Sequence, residues 1–488
     1  MRAHSLARVS ARVVAPLLAV LATSVLIGCD AFKPTDVVNP NVTDKQFLNT
    51  PGAGASWVRG TQRQFLISLN DVVVNSELAS DNYFNNYTTF SQKFDLPVLE
   101  YIDPQVLSIQ SNLARLRDMA SFGLDTVFAR DTMVTASDRA ELLYLRGLAK
   151  LFIGETFVGL PASANGAVAP WQDHLQSAIE DFTQARSISP DAAARQSSTL
   201  AMARAYYRLG NKAKAVEEAT ALLAGNPTFI RNATFDPVNG PTNTMQTVLT
   251  SSVNNFQPLP RLDFLDPKYP NRGTNIQSPI AYLKAEEAHL ILAEALLADN
   301  AVAAARDRLK QLLTLVQSRS TELVDSRLQL RGRAGGKVVY PNSADTKVAF
   351  GPGEPLRDGF VLTRSAGDVR VPVVSGTSVT AARIDAINSV DDGLYVLYLM
   401  RQEIFIAEGR RMADLGMRMP VSRTEVLANP NTQDGAPYTQ EQVPSFIPND
   451  FGMDAFTYDA AARTAVMSFD MNRILVQNKT SPSVLPFN

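Results

Sequence analysis

The chain has 488 residues, 45% of them hydrophobic and 19% charged, with a formal net charge of -2 at pH 7. That length allows a large buried core and more than one domain. The near balance of charge excludes a basic footprint for nucleic acid and an acidic tail, so no nucleic-acid partner is expected.

At the N-terminus, Arg2, Arg8 and Arg12 precede an apolar run over residues 13–27 that Pro16 and Thr23-Ser24 interrupt. This is the pattern of an export signal covering residues 1–28, too short and too early for a lasting membrane span. The run ends in Leu26-Ile27-Gly28-Cys29, a lipobox in which small Gly28 suits the peptidase and the Cys29 thiol carries the lipid. Cys29 is the only cysteine, so an internal disulfide is excluded, and its place directly after the apolar run favours lipidation. More than one acyl chain is needed for stable anchoring, and no later stretch reaches the ~18 apolar residues of a spanning helix. The expectation is a body held at a membrane by lipid. Residues 29–48, with Pro34, Asn39 and Pro40, read as an irregular tether, and residues 49–488 as one domain.

Long polar stretches over residues 75–103, 228–279, 332–380 and 421–457 read as irregular excursions, which in a compact domain usually carry function or are disordered. The first holds Asp81, Asn82, Tyr83, Phe84, Asn86 and Tyr87. Flat aromatic faces with planar amides and carboxylates are what sugar recognition needs, so this is one candidate contact surface. The second holds Arg261, Asp263, Phe264, Asp266 and Tyr269, a further candidate. In both, the competing reading is structural: aromatics pin a loop to the helices beneath, and Asp263 and Asp266 form turns beside Pro267. In the third, residues 337–340, 360–363 and 369–374 are β-prone and predict small hairpins.

Between these stretches lie helical hairpins. Residues 139–157 predict a helix that stops at Gly159-Leu160-Pro161. Ala178, Phe182, Ala185 and Pro190 recur as Ala215, Ala219, Leu222 and Pro227, with Tyr206-Tyr207 and Gly210 between them, a pattern that resembles a tetratricopeptide repeat. Residues 282–318 read as a helix pair broken near Asp299-Asn300. Helical repeats are thus placed near residues 137–226, 281–318 and 394–416. The fold class is mainly α: a tetratricopeptide-like scaffold of helical hairpins with long irregular loops and a few short β-hairpins.

A helix over residues 394–415, capped by Asp391-Asp392-Gly393, aligns Leu397, Arg401, Ile404, Glu408, Arg411 and Leu415 on one stripe. A solvated face would not interleave such residues, which predicts charges neutralising one another against the body of the protein. The alternative is an amphipathic surface helix with pairs Glu408 to Arg411 and Arg410 to Asp414.

The order of Arg401, Glu403, Glu408, Gly409, Arg410, Arg411, Asp414 and Leu415 closely resembles the C-terminal signature of the SusD/RagB family of outer-membrane nutrient-binding lipoproteins. Residues 269–272 and 280–295, with repeated Ala-Glu steps, are similar to the family's run into its central helix, and Asn39-Pro40-Asn41 to its usual start after the lipobox. The family's Pro-Ile-Pro element near the C-terminus is absent, although Val476-Gln477-Asn478 echoes the Gln-Asn step that comes after it in the family.

The resemblance implies a SusD-like fold and a non-catalytic role: capture of oligosaccharide or another small nutrient at the cell surface and delivery to a TonB-dependent outer-membrane transporter. It also implies that Arg401, Glu403, Glu408, Gly409, Arg411 and Asp414 are scaffold residues. Only Trp57 and Trp171 are tryptophans, and neither sits in a long loop, so a wide tryptophan platform is not expected.

Enzyme signals are weak. His4, His174 and His289 are isolated, giving no metal cluster and no triad base, and no cofactor is expected. His289 reads as a packed core histidine. Residues 332–338 are glycine-rich, but Val338 stands where a phosphate loop needs a hydroxyl. A tetratricopeptide scaffold lipoprotein for envelope protein–protein interactions is the alternative function; long aromatic- and Asn-rich loops weigh against it, because a plain solenoid has short connections.

Overall fold

In the computed structural model, which describes residues 47–85, 92–250, 256–273, 276–325, 327, 338–364, 367–448, 452–484 and 487, helix starts follow local capping chemistry. Asp103 caps helix α2 (Pro104–Phe122) through the Gln105 amide, with Pro104 in the first turn. Thr135 and Asp138 form a reciprocal capping box on α3 (Ala136–Thr156), and Asp191 caps α5 (Ala192–Arg208). Two units separate along the chain, Met1–Thr50 and Pro51–Asn488, and the second holds everything below. The export signal, Cys29 and the tether to residue 46 lie outside the described residues, as do Asn86, Tyr87 and residues 332–337.

The protein is mainly α, with helices paired in the tetratricopeptide manner and few short strand pairs. Helix α1 (Ala53–Leu78) packs on α2, α2 on α3, α3 on α4 (Trp171–Ile188), and then α5 and α6 (Lys212–Gly225) come in turn. A second pair, α7 (Ala285–Ala298) and α8 (Val302–Gln317), breaks at Asp299-Asn300, where Asn300 turns left-handed with φ 58°. One close approach in the ladder is at Gly147 of α3, where a Cβ would stand 2.6 Å from the Phe182 ring of α4. Here the recurring small and aromatic positions of the repeat have their physical use.

Helix α1 corrects the expected loop over residues 75–103, because Asn75–Leu78 is its last turn. Its apolar periodicity is masked by buried polar side chains, Thr61, Gln64, Ser68, Asn70, Asn75 and Glu77, of which Gln64, Ser68, Asn70 and Glu77 take tertiary partners that sequence does not show. Of the three β-prone runs, only Asp368–Pro372 is a strand, and it pairs antiparallel with Thr321–Asp325 across the long excursion instead of folding on itself. Described residues of the other two runs are irregular. Local hairpins do occur at Gly159–Pro161 with Val168–Pro170 and at Phe456–Asp459 with Thr464–Met467.

The C-terminal segment docks firmly. Helix α10 (Met471–Gln477) packs on α9 (Val390–Phe405), and Asn472 donates to Gln402 Oε1 at 2.8 Å. Among the described residues no helix is long and apolar enough to cross a membrane.

Candidate functional site

Helix α9 is capped by Ser389, which accepts from the Asp392 amide; Asp391 and Asp392 occupy its first turn, and the expected Asp-Asp-Gly cap is corrected accordingly. The helix does not run to residue 415. It ends at Phe405, Ala407 (φ 63°) and Gly409 (φ 70°) turn left-handed, and a four-residue helix resumes at Arg411–Asp414.

The cause is tertiary. Lys268 Nζ donates to the Ile404 and Ile406 carbonyls at 3.2 and 3.0 Å, and Lys284 Nζ to Ile404 at 2.8 Å, so buried ammonium groups consume the orphan acceptors of the last turn. Gly409 is pressed on α1, where a Cβ would lie 2.9 Å from Val73 Cα.

With the helix broken, the charges reach partners far away in sequence. Glu408 Oε1 receives Lys268 and Lys284 at 2.5 and 2.6 Å. Asp81 receives Arg411 at 2.6 Å, Arg261 at 3.0 Å and Gln402 at 2.8 Å. Asp414 receives Arg401 and Arg208, both at 2.8 Å, while Arg410 pairs with Glu287 and Arg208 with Glu155. These contacts replace the expected surface pairs of Glu408 with Arg411 and Arg410 with Asp414. Burial alone would raise the Asp81 carboxyl, but Arg411 and Arg261 outweigh it and hold it below its ordinary range. His289 is buried on α7, and burial pushes it down to about 4, as for a packed neutral imidazole.

Glu77 closes the same network, accepting from the Gly409 amide and from Asn82 Nδ2, both at 2.7 Å. Burial pushes its carboxyl up to about 7 from an ordinary 4.5. A raised acid takes up its proton in the folded state first, so its ionisation destabilises the fold progressively between those two values. Glu77→Gln is therefore expected to gain stability relative to the parent as pH rises from 4.5 to 7, by on the order of 3 kcal/mol across that window. Urea denaturation of both chains at a series of pH values checks the sign.

Glu403 links this core to the surface. Its carboxylate accepts from Thr377 Oγ1 and Ser378 N at 2.7 Å and from Ser378 Oγ at 2.6 Å, fastening the segment over α9. Thr377, Ser378 and Val379 then form one side of an open cleft of about 940 Å³.

Aromatic walls come from Phe264, Phe360 and Tyr395, the first two edge to face at 5.7 Å. Tyr395 OH donates to Asp470 at 2.8 Å, and the Arg473 guanidinium lies 5.1 Å over its ring. Charges on the rim balance: Arg357, Arg383 and Arg473 face Asp358, Asp391 and Asp392. Arg383 pairs with Asp392, Lys479 with Asp391 and Arg473 with Glu354. A volume of this size, flat faces and a charge-neutral polar rim suit a polyhydroxylated ligand that stays partly wet.

The sequence-derived contact candidates are not in the cleft. Asp81, Asn82 and Asp263 are 0% exposed, Tyr83 0%, Arg261 and Tyr269 1%, and Phe84 6%. Asn82 bonds Glu77, Tyr83 OH reaches Asp266 at 3.5 Å, Phe84 packs on Tyr340 and Phe456, and Tyr269 OH donates to the Ala407 carbonyl at 3.1 Å. Asp263 accepts from Arg364 at 2.7 Å and from the Leu362 amide at 2.9 Å. These seven residues are buried, and their polar atoms are engaged mainly by other protein groups, Glu77, Asp266, Arg364, Arg411 and the Ala407 carbonyl among them, instead of facing the cleft. Asn86 and Tyr87 lie outside the described residues. Phe264, from the second stretch, does line the cleft.

Phe360, Arg383 and Tyr395 were not legible as site residues in the sequence. The first lies in a run read only as β-prone, and Tyr395 sits on the flank of α9 opposite its charged stripe.

No family model matches the chain, and no curated protein matches it. Among solved structures, a SusD superfamily protein from Parabacteroides distasonis ATCC 8503 superposes with a TM-score of 0.51 over 80% of this chain and 98% of that one, at 10% identity. The chain has the SusD-like fold. A protein from Bacteroides vulgatus ATCC 8482 named as a candidate sugar-binding protein gives a TM-score of 0.51 over 80% of this chain and 99% of its own, at 14% identity. In this SusD-like chain the charged run of the signature is thus interior scaffold, and the cleft lies on the far flank of the same helix.

Proposed function

We propose that this SusD-like protein binds a glycan or another small nutrient, without breaking a bond, in the cleft between Phe264, Phe360 and Tyr395. The observation that carries the reading is the cleft itself: about 940 Å³, aromatic walls and paired charges at its rim. A sugar-binding name on a structure of the same fold supports it. Two of the three rim acids are engaged, Asp391 with Lys479 and Asp392 with Arg383, which suits holding hydroxyls more than the divided acid and base of a glycosidase. The lipobox at Cys29 supports anchoring at the outer membrane with the body at the cell surface, and the resemblance of the 401–415 run supports a TonB-dependent transporter as the partner that receives the ligand. A scaffold role for envelope proteins finds less support, because the inner faces of α3, α5 and α7 are filled by the buried charge network.

Calorimetric titration against a panel of neutral and acidic oligosaccharides tests this reading. Tyr395→Ala is expected to weaken the best ligand about tenfold, as stacked faces contribute ~1 kcal/mol or more, with thermal melting followed alongside to separate the loss of the Asp470 contact from the loss of the ring. Full affinity in that variant, or no ligand across the panel, removes the cleft from the account. Extraction in mild detergent tests the partner: a large outer-membrane barrel is expected to co-purify.

A further inference from the structure

Nine arginines are buried among the described residues: Arg117, Arg204, Arg208, Arg261, Arg364, Arg401, Arg410, Arg411 and Arg418. Eight have a carboxylate within ion-pair distance. Arg418, 8% exposed, has none among the described residues. Its backbone exchanges hydrogen bonds with Gln442 at 2.9 Å in both directions. Nε donates to the Gly154 carbonyl at 3.3 Å, and the guanidinium lies 4.0 Å from the Trp171 ring centroid.

The ring covers one face of the cation, but the two terminal N–H groups have no protein acceptor among the described residues. They border a second cavity, of about 160 Å³, walled by Trp171, Tyr207, Tyr398 and Val484. The nearest acids are already taken: Glu155 by Arg204 and Arg208, and Asp414 by Arg208 and Arg401. Burial, with the neighbouring Arg208, pushes Arg418 down to about 10, as befits a cation lacking its counter-charge.

We propose that this cavity binds a small carboxylate, its two oxygens on the terminal N–H groups of Arg418 and its short carbon skeleton against Trp171 and Val484. A guanidinium edge presents parallel donors that match a carboxylate in a bidentate pair, and aromatic and aliphatic walls suit a few carbons. The volume excludes an oligosaccharide, so this site is separate from the cleft and does not depend on its reading.

The test uses the full mature chain, whose only tryptophans are Trp57 and Trp171. Emission and melting temperature are followed while acetate, propionate or lactate replaces chloride at constant ionic strength, with inorganic phosphate as a parallel arm. A saturable emission change and a raised melting temperature are expected with the carboxylates. In Arg418→Gln binding is expected to fall about tenfold or more, and in Arg418→Lys, which keeps the charge but not the fork, to weaken by several-fold. Absence of saturation in the parent, undiminished binding in the variants, or phosphate saturating at lower concentration than the carboxylates overturns the assignment. Should Arg418→Gln fail to fold, the parent and Arg418→Lys titrations decide.

Discussion

Asp81→Ala is expected to cost about 3–5 kcal/mol of folding stability, the range for removing one partner of a buried ion pair. Its carboxylate, fully buried, is shared by Arg411 at 2.6 Å and Arg261 at 3.0 Å and also receives Gln402. Removing it strands two guanidiniums where water cannot replace the lost oxygens. Arg261 and Arg411 belong to segments some 150 residues apart, so the loss also unties the 260–265 turn from the signature. Asp81→Asn keeps the shape and hydrogen bonding to Gln402 but not the charge, and it is expected to lose nearly as much. Equilibrium urea denaturation measures both; a loss under 1 kcal/mol would mean that the carboxylate's net contribution is that of an exposed pair.

Glu408→Ala separates the two readings of the charged stripe. As half of a surface pair with Arg411, Glu408 would be worth a few tenths of a kcal/mol. As the counter-charge of Lys268 and Lys284, it is expected to be worth about 3–5 kcal/mol, because both ammonium groups are buried.

Lys268 supplies a second readout. Burial has pushed its pKa down to about 8 from 10.5 even with Glu408 beside it, so the folded state gives up that proton before the unfolded chain does. Stability of the parent therefore gains a contribution as pH rises from 8 to 10.5, and in Glu408→Ala that gain is expected to begin at lower pH. Lysine deprotonation limits the damage in alkaline solution, so the variant's deficit should be greatest near neutral pH and below.

Position by position, local chemistry was the legible part. Helices α3 to α8 follow small-residue spacing, apolar periodicity and stop signals that act within a few turns, and the break at Asn300 lies where Asp299-Asn300 announced it. Helix α1 was not legible, since its inward face carries Gln64, Ser68, Asn70 and Glu77, whose partners come from elsewhere. The candidate cleft was equally hidden. Its walls join residues 264, 360 and 395, which no periodicity relates, while the Asp- and aromatic-rich stretch that looked like a contact surface was drawn inward by Arg261 and Arg411.

By itself the sequence determined a helical-hairpin scaffold and the SusD-like signature, because these depend on spacing within one segment, and it offered an interior use for charges set among Leu and Ile as one of two readings. Only the tertiary structure decided that the signature helix breaks after Phe405, that Asp81 and Glu408 are counter-ions instead of ligand contacts or surface pairs, and that the cleft opens on the opposite flank. The reason is desolvation: once water is excluded, each charge must be met by whichever opposite charge the packing brings near, and that choice is made across hundreds of residues, not within a helical turn.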